Sequence, residues 1–290
     1  MGQDLFREHP AARSVFERAD AALGFSLSSL CFEGPAEELK QTVNAQPAVM
    51  VVSLACLAAA ESVLGSALPS PSYVAGHSLG EYTAIVAAGG LELEEGVRLV
   101  RERGRLMHMA GQVTPGSMMA TLGAEPDLVS RLCNEAGLYV ANINCPGQIA
   151  ISGAKTNLER AAQMGPAMGI RKLMPLEVSG AFHTPFMKPA CEGLEKAVRE
   201  SAFQTLKVPL VANVDARELR TPQEMREELI GQLCGCVQWQ RSMEHMLHSG
   251  VTTFIELGPG QVLTGLVRRT GKDALTFNLG SSADIAGWHR

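Results

Sequence analysis

Tyr73-Val74-Ala75-Gly76-His77-Ser78-Leu79-Gly80-Glu81-Tyr82 is the stretch on which the fold turns. A short β-prone run, residues 71–75, leads into a Gly-x-Ser-x-Gly turn, and a helical pattern continues over 81–88 until Gly89-Gly90 ends it. A serine set between a strand and a helix in this motif is a nucleophile elbow. The tight turn strains the serine backbone, glycines on either side relieve crowding, and the hydroxyl stands clear above the sheet. The next helix points its N-terminus at the same place, where unpaired N–H groups attract a negative oxygen. The backbone N–H of Leu79 is then the natural first donor to an oxyanion. Outside that context the motif is weak, and the bland alternative is a βα turn with a surface serine.

A serine hydroxyl needs a base. The histidines are His9, His77, His108, His183, His245, His248 and His289. His77 adjoins Ser78, but neighbouring side chains on such a turn point apart. His183 is better placed, in Ser179-Gly180-Ala181-Phe182-His183-Thr184-Pro185, a turn-rich loop just after an expected strand. Alone, a loop histidine is more often surface decoration. Between Ser78 and His183 the single aspartate is Asp127, in a segment that reads as a separate subdomain. A Ser-Asp-His triad therefore fits poorly, and a Ser–His dyad oriented by a carbonyl oxygen is simpler.

Outward from the elbow, residues 3–22 have helical spacing that ends near Gly24, and Pro47 is expected to open a helix over 48–64. A further helix over 93–108 carries Arg98, Arg101, Arg103 and Arg105. Residues 116–178 read as β-α-β-β-α-β: strands at 118–122, 138–144, 148–152 and 172–178, helices at 125–136 and 156–168, the second capped by Thr156 or Asn157. That order is a ferredoxin-like subdomain. Residues 1–115 and 179–290 then form one large α/β domain of α/β-hydrolase-like type. Strands at 208–211 and 252–257, alternating with helices at 190–201, 224–233 and 242–249, argue for a mainly parallel sheet.

Composition excludes several classes. The 290 residues are 46% apolar and 5% aromatic, with a formal net charge of −5 and no basic run, so nucleic acid is not the partner. The pairs Arg171-Lys172 and Arg268-Arg269 read first as solvated surface. Seven scattered cysteines, Cys31, Cys56, Cys133, Cys145, Cys191, Cys234 and Cys236, lack zinc-site spacing and read as reduced thiols. Neither a metal nor a bound cofactor is expected. The apolar stretch 48–60 is too short to cross a bilayer, and Asp4, Glu8, Glu17 and Asp20 argue against a transit peptide. The expectation is a soluble, cytoplasmic monomer, with a plastid or mitochondrial matrix location if a segment precedes residue 1.

Taken together these segments resemble malonyl-CoA:acyl carrier protein transacylases and the related acyltransferase domains of polyketide synthases. The likeness is carried by Gly76–Tyr82, Arg101-Glu102-Arg103-Gly104, Asn142-Ile143-Asn144-Cys145-Pro146-Gly147-Gln148 with Ile151-Ser152-Gly153, Gly180–His183, Gln232-Leu233 with Val237-Gln238-Trp239, and Glu256–Gly260. Order and spacing over nearly the whole chain make it specific. The resemblance implies that Ser78 attacks a malonyl thioester and His183 takes its proton. It implies that Arg103 forks onto the malonate carboxylate and that the Gln232 carbonyl orients His183. His77, Leu79 and Phe182 line the substrate site, Phe182 in the malonyl-selective pattern. Malonyl-CoA is then a substrate and acyl carrier protein the acceptor, in fatty acid or polyketide synthesis.

The chain departs from the family at its start. A strand and a Pro-Gly-Gln-Gly-Ser-Gln loop, whose glutamine gives a second oxyanion donor, have no counterpart, and Met1-Gly2-Gln3-Asp4-Leu5 resembles the stretch immediately after that loop. The absence implies either a start further upstream or an enzyme weakened by about 10² to 10³ in rate. Rival readings are a serine thioesterase or esterase, which has no use for Arg103, and a non-catalytic remnant that only binds the carrier protein. Basic Arg171, Lys172, Arg268 and Arg269 are candidate contacts for an acidic carrier.

Overall fold

A computed structural model describes residues 1–288; His289 lies outside them. The longest helix, Thr42–Leu64, buries Met50, Val51, Ala55, Cys56 and Ala59. It packs against helices Pro10–Leu23 and Leu93–Val113. The first of these breaks from Gln3–Glu8 at His9-Pro10 and ends on Gly24 in the left-handed region. An 18-residue window within Thr42–Ala67 has a mean hydropathy of 2.0, so this stretch is apolar and long enough to cross a membrane. Here it is the core of the larger lobe, and it carries buried Asn44, Gln46 and Ser53.

Pro47 does not open this helix but lies inside it. A proline there leaves the carbonyl four residues back without its N–H partner. That carbonyl, Val43 O, accepts instead from Arg101 Nη1 at 2.8 Å. A side chain from the neighbouring helix thus makes an interior proline tolerable, and the helix runs six residues further toward the N-terminus than its sequence pattern indicates.

Residues 117–175 fold about their own core of Val129, Leu132, Ile149, Ile151, Leu158 and Ile170. Strands β1 (Ser117–Leu122), β2 (Tyr139–Cys145), β3 (Gln148–Gly153) and β4 (Lys172–Pro175) form an antiparallel sheet in the order β2-β3-β1-β4. Helices Pro126–Ala136 and Lys155–Met168 pack on it. The β-α-β-β-α-β order expected for this stretch is present. The expected cap is not: Ala154 is the N-cap of the second helix, and Asn157 Nδ2 donates to Gly137 O at 2.9 Å.

The larger lobe departs from a mainly parallel sheet. β5 (Leu210–Val211) and β6 (Glu218–Leu219) pair antiparallel; β7 (Thr253–Leu257) and β8 (Leu275–Leu279) pair parallel. The run before the elbow is reduced to one parallel bridge, Val74 to Leu210. Pro71 and Pro209 flank these short runs, and a proline has no N–H to give a ladder. Helices Lys188–Glu200 and Pro222–Gln232 fill the remaining layer. The lobes meet where Val237 N donates to Ala141 O at 2.9 Å and Ile143 N donates to Val237 O at 2.8 Å. All seven cysteines are free.

Helices Thr42–Leu64 and Leu93–Val113 touch at Gly104, where an added Cβ would sit 2.8 Å from Thr42 O and 2.9 Å from Val43 Cα. Gly104→Ala should therefore destabilise the protein by about 1–3 kcal/mol, as overpacking does. Thermal denaturation checks this; an unchanged midpoint would mean that the helices part freely.

Candidate active site

Ser78 stands at the entrance to helix Leu79–Ala87 with φ 53° and ψ −103°. A non-glycine residue with positive φ stores about 1–3 kcal/mol of strain and persists only where its surroundings hold it. Both sides of Ser78 are held. Its N–H donates to Asn213 Oδ1 at 2.7 Å, and its carbonyl accepts from Gln232 Nε2 at 2.8 Å. Asn213 Nδ2 donates in turn to Gly76 O at 2.8 Å, so one amide staples the turn. A Cβ at Gly76 would lie 2.0 Å from the Gly80 carbonyl, which explains that glycine. Gly80 differs from expectation, since its Cβ would meet nothing within 4 Å. Among the described residues the Leu79 N–H has no protein partner and remains available.

Ser78 Oγ lies 2.7 Å from His183 Nε2. His183 has φ 58°, so both residues of the pair sit in strained backbone. Its Nδ1–H donates to the backbone carbonyl of Gln232 at 2.9 Å. The dyad with a carbonyl as third member is the arrangement expected from sequence, and among the described residues no carboxylate touches the imidazole. Burial, and then the charge of Arg103, push the His183 pKa down to about 3. The ring is therefore neutral at ordinary pH and ready to accept a proton.

Arg103 projects from helix Leu93–Val113 and is 1% exposed. Its Nη2 donates to Ser78 Oγ at 3.1 Å and to Gln232 Oε1 at 2.9 Å, and its Nη1 donates to Gln46 Oε1. Its guanidinium carbon lies 5.1 Å from the centre of the Tyr82 ring. Nε has no partner, and among the described residues no carboxylate forms an ion pair with this cation. A guanidinium buried without a counter-charge beside a nucleophile suits an anionic ligand group. Arg98, Arg101 and Arg105 are not at the site: Arg101 serves Val43 O and Arg105 pairs with Glu102 at the surface.

His77 points away from Ser78, as expected of neighbours, and its Nε2–H donates to Asn144 Oδ1 on β2 at 2.9 Å. It thus joins the two lobes beside Ser78. Phe182 is half-buried and packs on Met118, Ala141 and Ala150 of the smaller lobe. Sequence reasoning missed Asn213, Gln46, Tyr82, Glu81 and Glu228. Glu81 is fully buried; its Oε1 accepts from Asn213 N at 2.9 Å and its Oε2 from Gln232 Nε2 at 2.6 Å. Glu228 Oε1 accepts from the same Asn213 N–H at 3.0 Å. Burial raises the pKa of both carboxyls. Only Glu81 and Tyr82 could have been found from sequence, because they continue the serine motif.

A family model described as Acyl transferase domain matches residues 1–290. The chain belongs to the acyl transferase family. The malonyl CoA-acyl carrier protein transacylase of Bacillus subtilis (strain 168) is 42% identical over 282 residues, covering 96% of this chain and 88% of that protein. An acyl-carrier-protein-S-malonyltransferase from Bartonella henselae superposes with a TM-score of 0.94 at 39% identity, covering 99% of this chain and 93% of the other. A type II PKS acyl-carrier protein in complex with its malonyl-transacylase provides a further match, with a TM-score of 0.93 at 34% identity and coverage of 99% and 93%. The fold is thus the mixed α/β fold of this acyl transferase family.

The pKa of about 3 at His183 has a consequence testable in this acyl transferase. Between pH 6.5 and about 3 the unfolded chain binds a proton that the native site refuses. The stability this gives is full above 6.5 and is lost as pH falls toward 3. The His183 imidazole resonances, assigned by comparison with His183→Ala, should not titrate between pH 8 and 5. A midpoint near 6.5 would contradict this reading of the site.

Proposed function

We propose that the protein transfers a malonyl group from malonyl-CoA to the phosphopantetheine thiol of an acyl carrier protein, by way of an ester on Ser78. Ser78 Oγ attacks the thioester carbonyl and His183 Nε2 takes its proton. The Leu79 N–H, at the N-terminus of its helix, receives the developing oxyanion. Collapse expels the CoA thiolate, which takes the proton from His183. The carrier thiol then gives its proton to His183, attacks the ester, and Ser78 regains a hydrogen as it leaves. This is ping-pong transfer, in the service of fatty acid or polyketide synthesis.

The observation that carries the reading is Arg103. A buried cation 3.1 Å from Ser78 Oγ and without an ion-pair partner accounts for an acyl group that ends in a carboxylate. An esterase or thioesterase acting on neutral acyl groups has no need of it. The assembled Ser78–His183–Gln232 chain speaks against a remnant that only binds the carrier. Phe182, packed on the smaller lobe, bounds the acyl pocket, and His77 sets the distance between lobes through Asn144. Residues 1–115 and 179–290 act as the α/β-hydrolase-like catalytic domain. Residues 116–178 act as a ferredoxin-like subdomain, a reading supported by the β2-β3-β1-β4 order.

Quenched intact mass after mixing with malonyl-CoA should give one malonyl adduct on the peptide containing Ser78, and Ser78→Ala should give none. Arg103→Ala should lower the rate of malonyl loading by about 10²-fold or more while changing acetyl loading far less, because only the former loses a charged, two-point contact. Equal losses would refute the carboxylate clamp. The carrier docks on exposed Arg171, Lys172 and Arg268 near Arg269, which also donates to Gln148 Oε1. Raising salt should therefore raise KM for the carrier much more than KM for malonyl-CoA.

A further inference from the structure

Gln232 presents its two ends to different neighbours. Its Oε1 accepts from Arg103 Nη2 at 2.9 Å, and its Nε2 donates to Ser78 O at 2.8 Å and to Glu81 Oε2 at 2.6 Å. Glu81 accepts on both oxygens, the second contact coming from Asn213 N. Neither Glu81 nor Gln232 is exposed. If the amide were turned over, its oxygen would face the Ser78 carbonyl, which only accepts, and its NH₂ would face a guanidinium that only donates. Each such contact, buried and unpaired, is strongly unfavourable. The orientation of the Gln232 amide is thus set by Glu81 from one side and by Ser78 O from the other.

We propose that Glu81 is a positioning residue for the carboxylate clamp: by locking the Gln232 amide it fixes the Arg103 fork, and so sets the preference for acyl groups that end in a carboxylate. This rests on the proposed role of Arg103 as that clamp. The relay has a physical logic. A cation buried without a counter-charge is unfavourable by several kcal/mol. A carboxylate placed directly on Arg103 would relieve that but would occupy the fork that the substrate needs. Glu81 stands one amide away, so it anchors Gln232 without occupying the fork, and Nε and part of Nη1 remain without protein partners. Asn213 N is shared with Glu228, so the staple on Ser78 keeps an acceptor when Glu81 is altered. The Gln232 arm is what Glu81 alone supplies.

The test compares Ser78 loading from malonyl-CoA and acetyl-CoA by quenched intact mass, in the full chain. Glu81→Gln keeps the shape but exchanges one of two acceptor oxygens for a donor, which weakens the hold on the Gln232 amide. The malonyl-to-acetyl ratio of kcat/KM should fall about 10- to 100-fold, mostly through KM for malonyl-CoA, with acetyl loading within about threefold of wild type. Glu228→Gln, which alters the neighbouring buried carboxyl but does not touch Gln232, should leave the ratio unchanged. Gln232→Met keeps the carbonyl that orients His183, removes the amide, and should lower the ratio as Glu81→Gln does. The double variant should fall no further, because the two residues act in series. Equal losses for both acyl groups in Glu81→Gln, or losses that multiply in the double variant, would overturn the proposal. Should Glu81→Gln melt below the assay temperature, Gln232→Glu tests the same point. It sets a carboxylate directly on Arg103, and an unchanged ratio would overturn the proposal equally. A wild-type chain with no malonyl preference, or one whose preference survives Arg103→Ala, would instead sink the underlying clamp.

Discussion

Arg103 carries a full positive charge in a place that water does not reach, and most of the site is arranged to accommodate it. Its protein partners are neutral oxygens and a ring face: Gln46 Oε1, Gln232 Oε1, Ser78 Oγ and Tyr82. Amide and hydroxyl acceptors stabilise a guanidinium without neutralising it. The same charge acts on His183 as a like neighbour and helps keep the imidazole unprotonated. It also draws the buried carboxyl of Glu81 in the opposite sense to desolvation. One cation therefore links the composition of the pocket to the protonation states within it.

The strained turn is the second organising element, and it depends on residues far away in sequence. Ser78 N reaches Asn213, separated from it by 135 positions, and Ser78 O reaches Gln232, separated by 154. The elbow is held less by its own helix than by the chain just after β5 and the end of helix Pro222–Gln232. The smaller lobe contributes Asn144 to His77 and packs on Phe182. Relative movement of the lobes would thus be felt directly at the residues that flank Ser78 and His183.

Much of this is legible without coordinates. A Gly-x-Ser-x-Gly turn needs a close approach at its first glycine, and Gly76 shows one. The β-α-β-β-α-β stretch is readable because each element has its own apolar period. Pro47 misleads because a rule for helix starts describes propensity, whereas the carbonyl it frees is satisfied by Arg101 from another helix, a tertiary fact. Sequence overstates the parallel sheet for a related reason. Residues 71–75 and 208–211 have the composition of strands, but each carries a proline that gives no N–H to a ladder, and between them only Val74 and Leu210 form a bridge. Asn213, Gln46 and Glu228 are invisible in sequence, since a lone polar residue in a chain of 290 announces nothing until the fold brings it beside another.

The depressed basicity of His183 also bears on what happens between the two half-reactions. Burial first, and Arg103 second, keep the imidazole neutral, so it is free to take a proton from a donor held beside it. A thiol gives up its proton far more readily than water does. On the proposed mechanism, an acyl ester on Ser78 would be more open to a sulfur nucleophile than to water. The lifetime of such an ester would then depend first on how deeply the imidazole is buried and second on where one arginine sits.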